Sequence, residues 1–198
     1  MSHLVKVSSS NLPTEFGDYV IHIYEDLSSH IEHVALVMGK VDLQDSILTR
    51  VHSECLTGDI FSSKRCDCGE QLQLAQQLIA EAKTGIIIYI RNHEGRGIGL
   101  ANKIRAYALQ DHGLDTVEAN VALGLPIDKR SFETASEILQ NLKVGSIRLM
   151  SNNPNKLQSL KKLGIKINSL VPLIIKPNAV NLSYLQTKQV KLGHLLEK

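Results

Sequence analysis

The sequence predicts an α/β fold, a single domain with a mixed β-sheet, strand-rich in its N-terminal half and built of βα units in its C-terminal half. Three observations carry this. Apolar and β-branched residues alternate or cluster in short runs before residue 54, helical periodicity begins only at Glu70, and beyond it short apolar runs and helical stretches take turns. In chain order, GDYVIHIYE (17–25), HVALVMG (33–39) and ILTRVHS (47–53) read as strands between turn-like segments. Glu70–Lys83 reads as a helix, GIIIYIR from Gly85 as a short buried strand, and Leu100–Asp111 and Ser131–Leu142 as further helices. SIRLMS (146–151) is a strand, Pro154–Leu163 a helix whose proline suits the first turn, IKINSLVPLI (165–174) more strand, and Tyr184–Leu196 a closing helix. The pattern does not order the strands.

Length and composition narrow the function. At 198 residues the chain fits one domain, 1–198, with room for a proper core. Its 22 basic and 20 acidic side chains leave a net charge of +2, and no long lysine or arginine run appears. Nucleic acid is therefore not an expected partner, and any anionic ligand should be small and held locally. The start MSHLVKVSSS lacks a charged segment followed by an apolar one, and no stretch of about 18 apolar residues occurs. A cytoplasmic protein with no membrane partner is expected, in a compartment that keeps thiols free.

The three cysteines fall within RVHSECLTGDIFSSKRCDCGEQ (50–71): Cys55, Cys66 and Cys68, spaced C-x10-C-x-C. Three thiolates from one segment suit a tetrahedral Zn²⁺ whose fourth position holds water, which points to a zinc hydrolase. His52, three residues before Cys55, leaves a closed Cys3His structural site open as an alternative. Disulfides are a poorer reading, because Cys66 and Cys68 are badly placed to pair and three thiols leave one over. A second segment, IIIYIRNHEGRGIGLANKIRAYALQ (86–110), runs from an apolar strand through Gly95, Gly97 and Gly99 into a helix. Backbone amides at such a turn, with Arg96 beside them, suit phosphate. The dinucleotide fingerprint fails at Leu100, and no G-K-[ST] follows for a triphosphate loop.

Taken together, RVHSECLTGD, RCDCG, HEGRGIGL, NKIRAYALQD, DTVEAN and SNNPNK, in this order, resemble GTP cyclohydrolase II, from LPTEFGDY near the start to GHLL at the end. The resemblance implies hydrolysis of GTP to 2,5-diamino-6-ribosylamino-4(3H)-pyrimidinone 5′-phosphate, formate and pyrophosphate, the committing step of riboflavin synthesis. It implies Zn²⁺ on Cys55, Cys66 and Cys68, Mg²⁺ with the triphosphate, and a homodimer. It implies nucleotide contacts from Arg50, Val51, His52, Ser53, Glu54, Gln71, Glu94, Gly95, Arg96, Thr116, Ser151 and Lys156. Asp128 matches the family's proton acceptor and Arg130 its proposed nucleophile on the α-phosphorus; by themselves they would read as a surface ion pair. A guanidinium stays protonated, so charge stabilisation is the physically easier role for Arg130. Tyr107 matches the tyrosine near the zinc and would otherwise read as half-buried packing.

Ser151 stands where some members have threonine, which keeps the hydroxyl. RNHEGRGIG replaces a shorter RQEGRNIG form, making His93 an extra polar group. The chain is too short to carry the dihydroxybutanone-phosphate synthase partner of two-domain relatives, so one activity is expected. Two alternatives remain: a sister enzyme that stops at the formamidopyrimidine, and a non-catalytic zinc-stabilised nucleotide-binding module. A zinc nucleobase deaminase is disfavoured, since its H-x-E and P-C-x-x-C pair is missing.

Overall fold

The computed structural model describes residues 3–182 and Gly193. Two kinds of sheet meet in it. The first three strands, β1 (Leu4–Thr14), β2 (Gly17–Asp26) and β3 (Ile31–Met38), form an antiparallel meander, and β4 (Ile47–Ser53) begins the parallel part. After β4 come α1 (Leu56–Asp59), α2 (Cys68–Ala82), β5 (Gly85–Ile90), a 3-10 turn at Glu94–Arg96, α3 (Leu100–Asp111) and α4 (Thr116–Ala122). Then follow α5 (Glu133–Asn141), β6 (Ile147–Met150), α6 (Pro154–Lys162) and β7 (Ile167–Val171). One seven-stranded sheet results, ordered β1-β2-β3-β5-β4-β6-β7. The hinge between its halves is β5, antiparallel to β3 on one side and parallel to β4 on the other. The mixed α/β sheet expected from the sequence is thus observed, now with its order.

The core lies on both faces of the parallel half, which explains the unbroken apolar run GIIIYI. Ile86, Ile88 and Ile90 join Val51, Phe132, Ile138, Leu139 and Leu160 on the face covered by α5 and α6. Ile87 points the other way, to Leu48, Ala75, Ile79 and Met150 under α2. This is the two-residue alternation of a strand covered on both sides. The helices expected at Glu70–Lys83, Leu100–Asp111, Ser131–Leu142 and Pro154–Leu163 are all present to within two residues, with Pro154 at the first position of α6 and the Asn153 side chain capping it.

The chain also holds elements the pattern did not reveal. β1 is an edge strand whose serine run carries no apolar alternation, and Pro13 is tolerated there because an edge strand has free N–H positions. α4 starts at a capping box in which Asp115 accepts from the backbone of Val117 and Glu118, and the Glu118 side chain accepts from Asp115 N. The helix expected over Tyr184–Leu196 lies outside the described residues, apart from Gly193. Among the described residues no helix is long and apolar enough to cross a membrane.

Candidate active site

The parallel strands β4, β5 and β6 end side by side, and the residues that follow each of them line one cleft, as open α/β sheets place their ligands. Ser53 to Cys55 leave β4, His93 to Arg96 follow β5, and Ser151 to Asn153 follow β6. The cleft measures about 1050 Å³ counted out to solvent. Two groupings line it, a sulfur end with Cys55, Cys66 and Cys68 and a cationic end with Arg50, Lys156 and Arg130.

At the sulfur end, Cys55 caps α1, Cys68 opens α2 and Cys66 sits between them, with all three sulfurs within 4.8 Å of one another. None is in a disulfide, and Cys55 Sγ lies 3.7 Å from Cys66 Sγ. A tetrahedral zinc with bonds of about 2.3 Å sets its sulfur ligands about 3.8 Å apart, so these donors fit that ion. Among the described residues this is the one group of three His, Cys, Asp or Glu side chains placed to hold a metal. Two glycines allow the sulfurs to converge. A Cβ on Gly58 would stand 2.8 Å from Cys66 Sγ and 3.2 Å from Cys55 Sγ, and one on Gly69 would stand 2.3 Å from the Gly58 carbonyl.

His52 does not close the site as a fourth ligand. Its Nε2 lies 3.0 Å from Asp59 Oδ1 and its ring stacks on Tyr89, whose hydroxyl donates to Asp59 Oδ2 at 2.8 Å. Asp59 also accepts from the Cys55 amide at 2.9 Å, so this buried cluster fixes the short helix that carries the first cysteine. Burial, opposed by the Asp59 hydrogen bond, holds the His52 pKa below its usual value, and the neutral ring donates from Nε2.

A second buried network supports the sulfurs. Lys103 Nζ donates to Glu94 Oε1 at 2.6 Å, to Thr57 Oγ1 at 2.8 Å and to Cys55 Sγ at 3.2 Å, while Glu94 Oε2 accepts from Leu56 N at 2.7 Å. Lys103, Tyr107 and Asp111 recur every four residues along α3, and all three meet the cysteine segment. The Arg65 guanidinium lies 4.8 Å over the Tyr107 ring and pairs with Asp111, and Lys103 Nζ lies 5.6 Å from the same ring. Tyr107 thus lines the cleft between two cations.

At the cationic end, Arg50 is buried in β4, with NH1 donating to the Met150 carbonyl at 3.0 Å and NH2 to Gln71 Oε1 at 2.6 Å. Burial lowers its pKa to about 10, so it stays charged near neutral pH. Lys156, also buried, donates to the Val51 carbonyl at 2.5 Å. Burial, then the charges of Arg50 and Arg130, push the Lys156 pKa well down; an anion in the cleft would reverse the charge part of that shift. Arg130 sits on the loop before α5 and is held in a two-pronged pair by Asp128, with Nε to Oδ1 at 2.9 Å and NH2 to Oδ2 at 2.6 Å. Its NH1 reaches Ser53 Oγ at 3.4 Å. Burial opposes the effect, yet the Arg130 hydrogen bond keeps the Asp128 carboxyl below its usual pKa.

Most of the residues singled out in the sequence converge on this cleft: Arg50, His52, Ser53, Glu54, Gln71, Glu94, Gly95, Arg96, Tyr107, Thr116, Arg130, Ser151 and Lys156 line it with the cysteines. Val51 lies in the core with only its carbonyl turned to Lys156, and Asp128 acts from behind Arg130. The glycine-rich turn is not the open phosphate cradle expected. Arg96 N and Gly97 N bond to the His93 carbonyl, Gly97 N and Gly99 N to that of Glu94, and Gly95 N to the Glu94 side chain. Two of its glycines serve packing instead, for a Cβ on Gly95 would meet Lys103 Cβ at 3.1 Å and one on Gly97 would meet Lys129 Cβ at 3.3 Å, while one on Gly99 would meet nothing within 4 Å. The sequence reading passed over Lys103 and Asp59, which brace the cysteine segment, and the buried Asn120, which lines the cleft. The lysine was findable, since it stands one turn before Tyr107 on the same face of α3.

A three-cysteine cluster placed to hold a metal, beside a cationic cleft at the carboxyl ends of parallel strands, suits a metal-dependent hydrolase for a small anionic substrate. Residues 5–172 match the family model described as GTP cyclohydrolase II. The chain is 52% identical over 199 residues to GTP cyclohydrolase-2 of Neisseria meningitidis serogroup A, covering 100% of both chains. It is 52% identical over 196 residues to GTP cyclohydrolase-2 of Histophilus somni strain 2336, covering 99% of this chain and 90% of that one. Against riboflavin biosynthesis protein RibBA of Chlamydia trachomatis serovar D it is 48% identical over 196 residues, 99% of this chain and 46% of that protein. The chain therefore spans less than half of this last relative. It belongs to the GTP cyclohydrolase II family of enzymes.

Proposed function

We propose that the protein hydrolyses GTP to 2,5-diamino-6-ribosylamino-4(3H)-pyrimidinone 5′-phosphate, formate and pyrophosphate, in the first committed step of riboflavin biosynthesis. The observation that carries this is the joining of a three-sulfur cluster and three buried or half-buried cations in one cleft. Hydrolysis of a purine ring needs an activated water, and release of pyrophosphate needs positive charge at a phosphate. Cys55, Cys66 and Cys68 would hold one zinc ion, which supplies a water of lowered pKa for attack on the guanine ring. Mg²⁺ would travel with the triphosphate, bound chiefly by phosphate oxygens.

The chain's own groups divide the remaining work. Arg50, Lys156 and Arg130 would meet the phosphates, where charge-assisted hydrogen bonds are strong. Asp128 fixes the plane of the Arg130 guanidinium through two hydrogen bonds, so that the group would enter the phosphoryl transition state already oriented. A guanidinium group is a poor nucleophile and a good two-pronged donor, which favours charge stabilisation at the α-phosphorus over nucleophilic attack. Glu54, whose Oε2 accepts from Asn92 N, would accept from the guanine N1–H or amino group with its remaining capacity. Tyr107, held between Arg65 and Lys103, would orient the opened ring or donate a proton to it.

The test is incubation of zinc-loaded protein with GTP and Mg²⁺, measuring formate and pyrophosphate in one sample. Equal amounts are expected. Pyrophosphate without formate would replace this reading with the sister reaction, and neither product would leave only a binding module.

A further inference from the structure

Among the groups that touch the sulfur cluster, one buried cation has no role in the reading above. Lys103 lies on α3, outside the cysteine segment, and its side chain is 9% exposed. Three partners fix its ammonium: Glu94 Oε1 at 2.6 Å, Thr57 Oγ1 at 2.8 Å and Cys55 Sγ at 3.2 Å. An ammonium has three N–H donors and no more, so this geometry fully uses it. Glu94 is anchored in turn by the Leu56 amide at 2.7 Å. Every hydrogen-bonding partner of the ammonium therefore belongs to the cysteine segment or is tied to it, and none of its donors remains for a substrate.

Three thiolates and a divalent cation carry a net charge of −1, and electron donation by thiolates makes the metal a weak Lewis acid. A fixed N–H donor on one sulfur lowers that donation and holds the sulfur in place for the metal. We propose that Lys103 is a positioning residue for the metal centre: its ammonium, aimed by Glu94 and Thr57, binds the Cys55 sulfur, preorganises the cluster for zinc and draws electron density from the metal. The inference rests on the zinc reading.

The experiment measures the zinc dissociation constants of the whole chain and of Lys103→Met, Lys103→Gln and Lys103→Arg by competition with a chromophoric chelator. The sulfur-to-cobalt charge-transfer band of each cobalt(II)-loaded form is recorded alongside. Loss of a partner that supports a metal ligand costs about 10- to 100-fold in affinity. Lys103→Met should weaken zinc by that amount and move the charge-transfer band to longer wavelength, because the freed sulfur donates more strongly. Lys103→Gln, which keeps a donor but no charge, should fall between, and Lys103→Arg should recover most of the loss. If wild type binds no zinc, the zinc reading itself falls. If wild type binds tightly and Lys103→Met matches it in both affinity and band position, Lys103 has no such role. Should Lys103→Met fail to fold, the gradation from Gln to Arg decides: equal constants and bands in these two overturn the proposal.

Discussion

The two ends of the cleft are built on opposite plans. The sulfur end is local: Cys55, Cys66 and Cys68 come from 14 consecutive residues and are braced by two buried networks, one through Asp59 and one through Lys103. The cationic end is assembled at a distance, with Arg50 from β4, Arg130 from the loop before α5 and Lys156 from α6; Arg50 and Lys156 are held by carbonyl and amide oxygens of other segments, and Arg130 by Asp128 of its own loop. A local site tolerates no change of shape, because its atoms are packed against one another. A dispersed site loses one interaction at a time.

This difference sets the order of expected effects. Cys66→Ser should abolish zinc binding and formate production together. Gly58→Ala makes a sharper test, since it removes no ligand and instead drives a methyl group to within 2.8 Å of Cys66 Sγ. Loss of bound zinc and at least a 100-fold fall in formate production are expected, read by metal analysis and formate assay. A Gly58→Ala protein with one zinc and normal turnover would show that the sulfur end is not rigid. At the other end, Arg130→Ala should abolish pyrophosphate release while zinc content stays at the wild-type level. Unchanged release would remove Arg130 from the mechanism, and loss of zinc would erase the separation between the two ends.

Tyr107→Phe tests the boundary between them. The ring keeps its place between Arg65 and Lys103, and only the hydroxyl is lost. Proton transfer by a placed side chain contributes about 10²- to 10⁴-fold, so the rate of ring hydrolysis should fall within that range while GTP affinity changes little. An effect confined to affinity would put Tyr107 on the binding side alone.

The same contrast explains what the sequence disclosed. The cysteines were legible because their spacing is itself the signal, and the βα rhythm was legible because strands covered on both faces read as apolar runs such as GIIIYI. Strand order was not, since the neighbours of β5 are β3 and β4 for reasons of long-range packing that no local pattern carries. β1 was missed because an exposed edge strand needs no apolar face. The glycine-rich turn misled for a physical reason: positive φ at Gly95, Gly97 and Gly99 permits an open amide cradle and a self-bonded turn equally, and only the partners of its amides tell them apart. Lys103 read as an ordinary helix lysine and Lys156 stood out only through the family resemblance, although both are buried.

His93 gives the smallest expected effect and touches the dispersed end only. It is 9% exposed, its Nδ1 lies 3.2 Å from Ser53 Oγ, and it meets the Phe132 ring edge-on. Burial first, then the charges of Arg130 and Lys156, hold its pKa down at about 3. An unfolded histidine titrates near 6.5. Between these values the unfolded chain takes up a proton that the folded chain refuses, so stability falls as pH drops from about 6.5 toward 3 and is unaffected by this group above that window. A single such proton costs about 1.4 kcal/mol per pH unit inside the window. His93→Gln keeps a side chain able to bond Ser53 and removes the titration. Urea unfolding of both proteins between pH 6 and pH 4 should therefore show a shallower loss of stability in the variant, by about that amount per unit. Parallel slopes would mean that His93 takes up its proton inside the folded protein, with the cationic end relaxing to admit a further charge.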